Sequence, residues 1–306
     1  MPVSSADVLQ TRDFSYMIRN EIILMDPGRR RGCVILRRQR PVPAPQTKGA
    51  ATKAPEESVR MDQFSRTEML IGPEGMDRLR RARVAVFGVG GVGGSAAEAL
   101  VRCGVGALDV FDNDVVSVTN LNRQVIATHR TVGRLKVDVI RERLRDICPQ
   151  ARITAHPLFY LPENADTVDL SAFDYILDAV DTVSAKLELA VRAHALGVPL
   201  ISAMGAGNRL DPSLLRLRDI YETENCHLAR VMRRELRRRG IPALRVAYSL
   251  ETARKPQESE EEAQARRLSG TSRRDTPGSV SFVPPAMGLL MASGAVRDLI
   301  RNPASC

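Results

Sequence analysis

Apolar residues in this sequence occur in short runs that alternate with stretches of helical spacing. The run from Val84 to Phe87 is continuous, as expected for a strand that is buried on both faces. A glycine-rich turn follows it, and residues 95–101 then show helical spacing and good helix formers. Further runs with strand character begin at Gly106, Arg152, Tyr175 and Leu200. This alternation predicts an α/β fold built on a doubly wound, mostly parallel, Rossmann-like sheet.

A carboxyl-terminal extension follows the fifth predicted strand. Two more strands are predicted at 214–220 and 244–250, with an arginine-rich helix at 226–239 between them. That helix is either a contact for an RNA backbone or a solvated basic face. Residues 252–277 are charged and lack a period, so we predict a mobile loop there. A packing helix is predicted to begin at Pro285.

The amino-terminal part of the chain has a different composition. Residues 1–60 are rich in Arg, Pro, Ala and Lys and offer too little apolar surface to order themselves. We therefore predict a disordered basic extension over 1–60 and a folded domain over 61–306, which opens with two short helices between Met61 and Arg81. The extension either adds affinity for nucleic acid or is dispensable, and Met61 as a plausible start favours the second interpretation.

Charge and cysteine content narrow the class of protein. The net charge of +9 favours an anionic partner, either a nucleotide or a nucleic acid. The five cysteines are scattered and form no C-x-x-C pair, which indicates neither a disulfide framework nor a zinc site. A reducing, cytoplasmic location fits this pattern. The best apolar run, Phe282 to Val296, is too short to span a membrane, so no membrane partner is predicted.

The glycine turn is the first sign of chemistry. Gly88, Gly90, Gly91 and Gly93 stand between the predicted strand and the predicted helix. Glycines let the backbone bend sharply and let a phosphate approach, and the helix start offers unpaired N–H groups. Asp112 lies about 20 positions further on, at the end of the second strand, where a carboxylate typically accepts from ribose hydroxyls. The turn therefore predicts a nucleotide-binding site.

Other charged residues follow strands at the same edge of the sheet. Arg123 and Lys136 lie near the carboxyl edge, where open α/β folds bind nucleotide phosphates. Asp181 follows the fourth strand, and a carboxylate that faces bound phosphate is a natural ligand of Mg²⁺. Simpler explanations stay open, because Lys136 could be solvated and Asp181 could cap the next helix.

Taken in order, these motifs resemble the ThiF/MoeB superfamily of adenylating enzymes. The matching segments are the Gly88–Gly93 turn, FDNDVV at 111–116, NLNRQ at 120–124, VGRLK at 132–136 and ILDAVDT at 176–182. Their order and spacing are far more specific than the glycines alone. The resemblance implies a ThiF-type fold that binds ATP at the glycine turn and holds the ribose with Asp112.

The same resemblance implies roles for the charged residues and an assembly. Asn120, Arg123 and Lys136 correspond to the residues that bind the phosphates, and Asp181 corresponds to the residue that holds Mg²⁺. Arg66 matches an arginine that, in this superfamily, reaches the phosphates from the other subunit of a homodimer. The expected catalytic set is Arg66, Arg123, Lys136 and Asp181.

Within the superfamily, the chain is most similar to the tRNA threonylcarbamoyladenosine dehydratases of the CsdL/TcdA type. The specific segments are IGPEGMDRLRRARVAVFG at 71–88, SAMGAGNRLDPS at 202–213, VAYSLE at 246–251 and GSVSFVPPAMGLLMAS at 278–293. This implies ATP-dependent cyclisation of N6-threonylcarbamoyladenosine in the anticodon loop of tRNA, through adenylation of its carboxylate. It leaves a cysteine desulfurase or sulfur-acceptor system as a further partner.

Two alternatives remain at this point. An adenylating enzyme for a ubiquitin-like sulfur-carrier protein would use the same nucleotide site, although such activators usually carry the paired C-x-x-C zinc ligands that are missing here. A nucleotide-binding scaffold without catalysis is the other. The presence of Arg66, Arg123, Lys136 and Asp181 disfavours the scaffold.

Overall fold

The computed structural model describes residues 62–257 and 277–301, together with four residues nearer the amino terminus. The chain divides into two units, Met1–Ser58 and Val59–Cys306. In the first unit, β1 (Met17–Ile18) pairs antiparallel with β2 (Glu21–Ile22). The predicted disordered extension over 1–60 and the predicted loop over 252–277 lie for the most part outside the described residues, so both stay predictions.

The second unit opens with α1 (Ser65–Arg81), which is broken in its middle. Gly72 has φ 72° and ψ 169°, and Pro73 follows it. Proline disfavours the helical conformation in the residue before it, and glycine accepts the positive φ that results. The sequence pattern predicted two short helices in this region, and the break separates them.

Seven strands form the sheet of the second unit. In chain order they are β3 (Arg83–Phe87), β4 (Ala107–Phe111), β5 (Arg152–His156), β6 (Tyr175–Asp178), β7 (Leu200–Ala203), β8 (Leu215–Asp219) and β9 (Arg245–Ser249). Across the sheet the order is β5-β4-β3-β6-β7-β9-β8. Every neighbouring pair is parallel except β8 and β9. The predicted doubly wound, mostly parallel sheet is confirmed.

Helices cover both faces of the sheet. The helices on one face are α2 (Gly93–Arg102), α3 (Lys136–Ile147) and α6 (Val283–Leu299). Those on the other face are α4 (Val183–Leu196) and α5 (His227–Arg238). Because both faces are covered, the central strands β3, β4 and β6 are buried almost throughout, which explains their continuous apolar runs.

Close packing of α2 against α6 uses a glycine. A Cβ built on Gly288 would overlap the carbonyl oxygen of Val92 and lie 3.0 Å from the nitrogen of Ala96. The backbones of the two helices therefore nearly touch.

Among the described residues, every helix is too short or too polar to serve as a membrane span.

The strand order locates a binding crevice. From β3 the chain moves to β4 and β5 on one side, and then crosses to β6 and β7 on the other. In open α/β sheets, ligands bind outside the carboxyl ends of the strands at such a reversal. The crevice therefore lies beyond Phe87 and Asp178, the last residues of β3 and β6.

Candidate active site

A cavity of about 500 Å³ occupies this crevice. Its lining comes from the turns after β3, β4 and β6, from the start of α3 and from the segment after β5. The residues predicted from sequence that line it are Gly88, Gly90, Gly91, Asp112, Asn120, Arg123, Lys136 and Asp181. With Phe87 and Pro284 both in the lining, segments nearly 200 residues apart in the chain meet around one space.

The glycine turn owes its shape to two close approaches. Gly88 has φ +83°, and a Cβ on it would lie 2.7 Å from the carbonyl oxygen of Ala179. A Cβ on Gly93 would overlap the carbonyl oxygen of Gly88. Gly93 is buried at the start of α2, and the turn requires a glycine there because no side chain would fit. Gly90, in contrast, lines the cavity. The turn presents its backbone to the cavity.

Asp112 ties the glycine turn to the end of β4. Its Oδ2 accepts the N–H of Val89 at 2.8 Å, and its Oδ1 accepts the N–H of Asp114 at 2.9 Å. Burial raises the pKa of Asp112, although the charge of Lys136 and the two backbone donors oppose the shift. Each carboxylate oxygen retains a lone pair, so the group can still accept from a ligand hydroxyl.

Lys136 is buried rather than solvated. Its side chain is 7% exposed, and its Nζ donates to Oδ2 of Asp114 at 2.7 Å. The backbone N–H of Lys136 also donates to the carbonyl oxygen of Asp114 at 2.9 Å. Burying a lysine is costly unless it is paired, and this pair holds the ammonium group at the cavity wall. The explanation that Lys136 is a solvated surface residue is therefore wrong.

Arg123 and Asn120 lie on the segment between β4 and α3. Arg123 donates from Nη1 to the carbonyl oxygen of Thr119 at 3.0 Å, and it is half-buried at the cavity. Asn120 is 9% exposed and accepts the N–H of Ser117 through Oδ1 at 3.1 Å. Both side chains are held by local backbone groups while facing the same space.

Asp181 is exposed at the cavity mouth, three residues beyond the end of β6. The residue before the first turn of α4 is Thr182, and no side chain caps this helix start. The capping explanation for Asp181 is therefore wrong, and its carboxylate is available to a ligand. Among residues 62–257 and 277–301, no cluster of three or more His, Cys, Asp or Glu could hold a metal. A Mg²⁺ ion here would need oxygens from a bound phosphate as well as from Asp181.

Arg66 does not join this group. It lies exposed on the first turn of α1 and does not line the cavity. Met69 and Leu70 beside it are 85% and 87% exposed. The structure therefore brings the other predicted residues together around the cavity, except Gly93, which is buried in the turn, and leaves Arg66 on a separate, partly apolar surface.

Two polar residues of the cavity were missed in the sequence. Oε1 of Gln124 and Oη of Tyr160 are buried, line the cavity and have no hydrogen-bond partner among the described residues. Burial raises the pKa of Tyr160 to about 12, so its hydroxyl stays protonated and can donate. Gln124 ends the NLNRQ motif, and Tyr160 follows β5, so both had a positional signal.

An aromatic wall completes the cavity. Phe87 and Phe111 line the cavity and are neighbours in register at the ends of β3 and β4. His156, next in register on β5, extends the stack beyond the cavity lining. Phe87 stacks on Phe111 with 4.3 Å between ring centroids, and Phe111 stacks on His156 at 4.2 Å. Tyr160 packs edge-on against Phe87 at 5.1 Å. The cavity thus has an apolar side suited to a flat base and a polar side suited to phosphates.

The chain is similar to proteins of known family. The ThiF family matches residues 64–304. The tRNA threonylcarbamoyladenosine dehydratase of Bacillus subtilis is 39% identical over 249 residues, which are 79% of this chain and 96% of that protein.

Two solved structures of the Escherichia coli tRNA N6-threonylcarbamoyladenosine dehydratase, TcdA, are also similar. The complex with ATP has a TM-score of 0.67 at 30% identity and covers 78% of this chain and 93% of that chain. The complex with AMP has a TM-score of 0.70 at 29% identity and covers 81% of this chain and 98% of that chain.

Proposed function

Because the chain belongs to the ThiF family, we propose that it is an ATP-dependent tRNA threonylcarbamoyladenosine dehydratase. The observation that carries the proposal is the similarity to the B. subtilis enzyme of that name, which extends over 96% of that protein. The cavity supports it, because its size and its division into an aromatic wall and a cationic wall suit a nucleotide. The macromolecular substrate is tRNA with a threonylcarbamoyl group on an adenosine of the anticodon loop.

The reaction must first activate a carboxylate, which is a poor electrophile because its leaving group would be oxide. The threonylcarbamoyl carboxylate attacks the α-phosphorus of ATP, forms an acyl-adenylate and releases pyrophosphate. A neighbouring nucleophilic atom of the same modification then attacks the activated carbonyl carbon, gives up its proton and expels AMP. One carboxylate oxygen leaves in AMP, so the RNA loses one water and gains a ring.

In the first step, the positively charged and the negatively charged side chains around the cavity have different roles. Arg123 and Lys136 bind the phosphates and stabilise the charge that gathers on the leaving pyrophosphate. Asp181 would hold a Mg²⁺ ion, which would supply further neutralisation of that charge. Asp112 accepts from the ribose, and the glycine turn offers backbone N–H groups to the phosphates.

The polar atoms without partners fit the same occupant. Gln124 contributes an acceptor and Tyr160 a donor, and both lie buried at the cavity wall. A buried polar atom without a partner costs roughly 1–3 kcal/mol, so a nucleotide that satisfies both gains that energy on binding. The second step needs no nucleophilic side chain, because both reacting groups belong to one nucleotide and are already close.

The proposal includes a homodimer in which Arg66 acts in the partner's cavity. Arg66 is exposed and lies away from the cavity of its own chain. The neighbouring Met69 and Leu70 are almost fully exposed, as residues of an apolar contact would be in a separated subunit.

Because tRNA is the substrate, the proposed location is the cytoplasm. The free thiols of Cys103, Cys148 and Cys226 agree with a reducing compartment.

The proposal is tested with threonylcarbamoylated tRNA whose carboxylate carries ¹⁸O in both oxygens. The protein is incubated with this RNA and Mg-ATP, and the nucleoside, AMP and pyrophosphate are examined by mass spectrometry. The expected result is an ATP-dependent loss of one water from the nucleoside, with one ¹⁸O in AMP and none in pyrophosphate.

Other outcomes contradict specific parts of the proposal. Label in inorganic phosphate with ADP as the product would mean attack on the γ-phosphate and would overturn adenylation. An unchanged nucleoside with ATP bound would overturn the tRNA substrate. ATP–pyrophosphate exchange that depends on a small carrier protein would then identify the sulfur-carrier activity instead.

A further inference from the structure

Helix α5 carries the densest positive charge among the described elements. Residues 227–239 contain six arginines and one glutamate. The helix packs on its core through Ala229, Met232 and Leu236, which are fully buried. The proposed reaction uses none of these arginines, so their concentration on one helix needs another explanation.

Three of the arginines form a line on the outer side of the helix. Arg230, Arg234 and Arg238 are exposed and recur every four residues, which keeps them on one face opposite the buried stripe. At about 1.5 Å per residue, the line is roughly 12 Å long. We call these three residues the α5 arginine row.

The remaining arginines of the segment have structural partners. Arg233 donates through Nη1 to the carbonyl oxygen of Thr223 at 2.7 Å. Arg237 lies over the ring of Tyr221, with its guanidinium carbon 5.0 Å from the ring centroid. Arg239 pairs with Glu235 at 2.9 Å. The contacts of Arg233 and Arg237 anchor the helix to the segment that precedes it, and Arg239 is paired at the helix end.

The α5 arginine row keeps most of its charge available. Arg230 makes no ion pair within the described part of the chain. Arg234 and Arg238 both reach the same Oε1 of Glu235, at 3.1 Å each, and Glu235 also pairs with Arg239. One carboxylate thus serves three guanidinium groups. The face keeps a net positive charge after all its ion pairs are counted.

The helix begins beside the active-site cavity. Gly207 lines the cavity, and its carbonyl oxygen accepts Nη1 of Arg209 at 3.0 Å. Nη2 of the same Arg209 donates to the carbonyl oxygen of Asn225, two residues before the first helical residue, at 3.4 Å. One buried arginine therefore joins the cavity rim to the start of α5. Arg230, in the first turn of α5, is therefore the member of the row nearest to the rim along the helix.

We propose that the α5 arginine row is the docking surface for the sugar-phosphate backbone of the tRNA substrate. This rests on the proposed function, and it identifies which surface of the protein receives the RNA backbone. Guanidinium groups spaced along one helix face match a polyanion, and binding releases the counterions of each neutralised phosphate. Contacts of this kind position an RNA without reading its sequence.

The test compares two triple variants with equal loss of charge. The first is Arg230→Gln/Arg234→Gln/Arg238→Gln, in which glutamine preserves helix propensity. The control is Arg102→Gln/Arg145→Gln/Arg297→Gln, which changes exposed arginines of α2, α3 and α6 on the opposite face of the sheet. Both are measured for tRNA affinity without ATP over a series of KCl concentrations, for ATP affinity and for steady-state dehydration.

The row variant is expected to bind tRNA about tenfold or more weakly, with the salt slope reduced by about 2 to 3, near one per lost phosphate contact. Its KM for tRNA rises correspondingly, while kcat, ATP affinity and the circular dichroism spectrum stay as in the wild type. The control variant keeps a tRNA affinity within about twofold of the wild type, since its arginines lie outside the docking surface.

Equal weakening in both variants would overturn the proposal, because net charge alone would then account for binding. Unchanged binding in the row variant would overturn it as well.

Failure of the proposed function is distinguishable from these outcomes. A wild-type protein that binds tRNA through the row but leaves the nucleoside unchanged would keep the docking surface and reject the reaction. Unimpaired KM in an active row variant would keep the reaction and reject the surface.

Discussion

The side chain of Asp181 makes few contacts with the rest of the protein. It is exposed, and its one side-chain hydrogen bond, from the Thr182 hydroxyl, is a weak one at 3.4 Å. Its value lies in its position at the cavity mouth. A change at this residue should therefore alter catalysis without altering stability, which separates it from its buried neighbours.

Asp181→Asn is expected to lower pyrophosphate release with threonylcarbamoylated tRNA by roughly 10²–10³-fold, because a neutral amide is a poor ligand for Mg²⁺. The melting temperature should match the wild type, since the side chain caps no helix. Asp146→Asn, at an exposed aspartate of α3, is the matched control and should keep full activity. Normal turnover by the Asp181→Asn variant would show that the carboxylate is not a required ligand of Mg²⁺.

Lys186, in contrast to Asp181, is buried and makes several side-chain contacts. Its side chain is 1% exposed and donates to both carboxylate oxygens of Asp178 at 3.0 and 3.1 Å, and to Ser202 at 3.3 Å. Asp178 in turn accepts the N–H of Val180 at 3.1 Å. This buried cluster fixes the turn between β6 and α4, and with it the position of Asp181.

Lys186→Met should lower the free energy of unfolding by about 3–5 kcal/mol, because it leaves the Asp178 carboxylate buried without its counter-ion. Urea denaturation followed by circular dichroism measures the change. Lys255→Met, at an exposed lysine, is the control and should stay within about 0.5 kcal/mol of the wild type. A Lys186 variant as stable as its control would show that the buried pair contributes nothing net.

The turn between β3 and α2 illustrates how one element serves both fold and site. Gly93 is fixed by protein packing, since a Cβ there would overlap the carbonyl oxygen of Gly88. Gly90 faces the cavity, and a Cβ there would meet only Nε2 of Gln124, at 3.6 Å. The two glycines look alike in the sequence, and only the contacts around them separate their tasks.

Alanine at these two glycines should therefore give different defects. Gly93→Ala is expected to destabilise the protein by several kcal/mol, because the strand-to-helix turn must open to admit a methyl group. Gly90→Ala should keep the wild-type melting temperature and bind ATP about tenfold or more weakly, because its methyl group occupies the space of the phosphates. Thermal unfolding and calorimetric titration with ATP check the pair. Wild-type ATP affinity in Gly90→Ala would move the phosphates away from this turn.

At the scale of the whole molecule, the proposed dimer makes the site composite. A cavity would combine Asp181 of one subunit with Arg66 of the other, and the two residues do not meet within one chain. This arrangement is testable without a structure of the dimer. Each single variant would lack one half of every site.

Mixed dimers of Arg66→Ala and Asp181→Ala should recover about a quarter of the wild-type activity, because half of the random dimers are mixed and each carries one intact site. Co-refolding equal amounts of the two inactive variants, followed by the dehydration assay, measures the recovery. Each variant refolded alone is the control. No recovery, with mixed dimers detected by tags, would mean that Arg66 acts within its own chain or not at all.

The sequence by itself determined the order of the elements and predicted many of the residues that line the candidate site. Periods of apolar residues predicted the strands and helices of the sheet domain, because burial on one or both faces fixes which positions must be apolar. The spacing from the glycine turn predicted Asp112, since a βαβ unit has a nearly constant length. The motif order predicted the positions of Arg123, Lys136 and Asp181 at one sheet edge.

Only the tertiary structure decided the features that depend on contacts between distant segments. The burial of Lys136 against Asp114, the partnerless atoms of Gln124 and Tyr160, and the availability of Asp181 all arise where several loops converge. Strand order and the packing of α2 on α6 are likewise settled by complementary surfaces. Local periodicity records whether a position is buried, and it carries no information about which distant residue buries it.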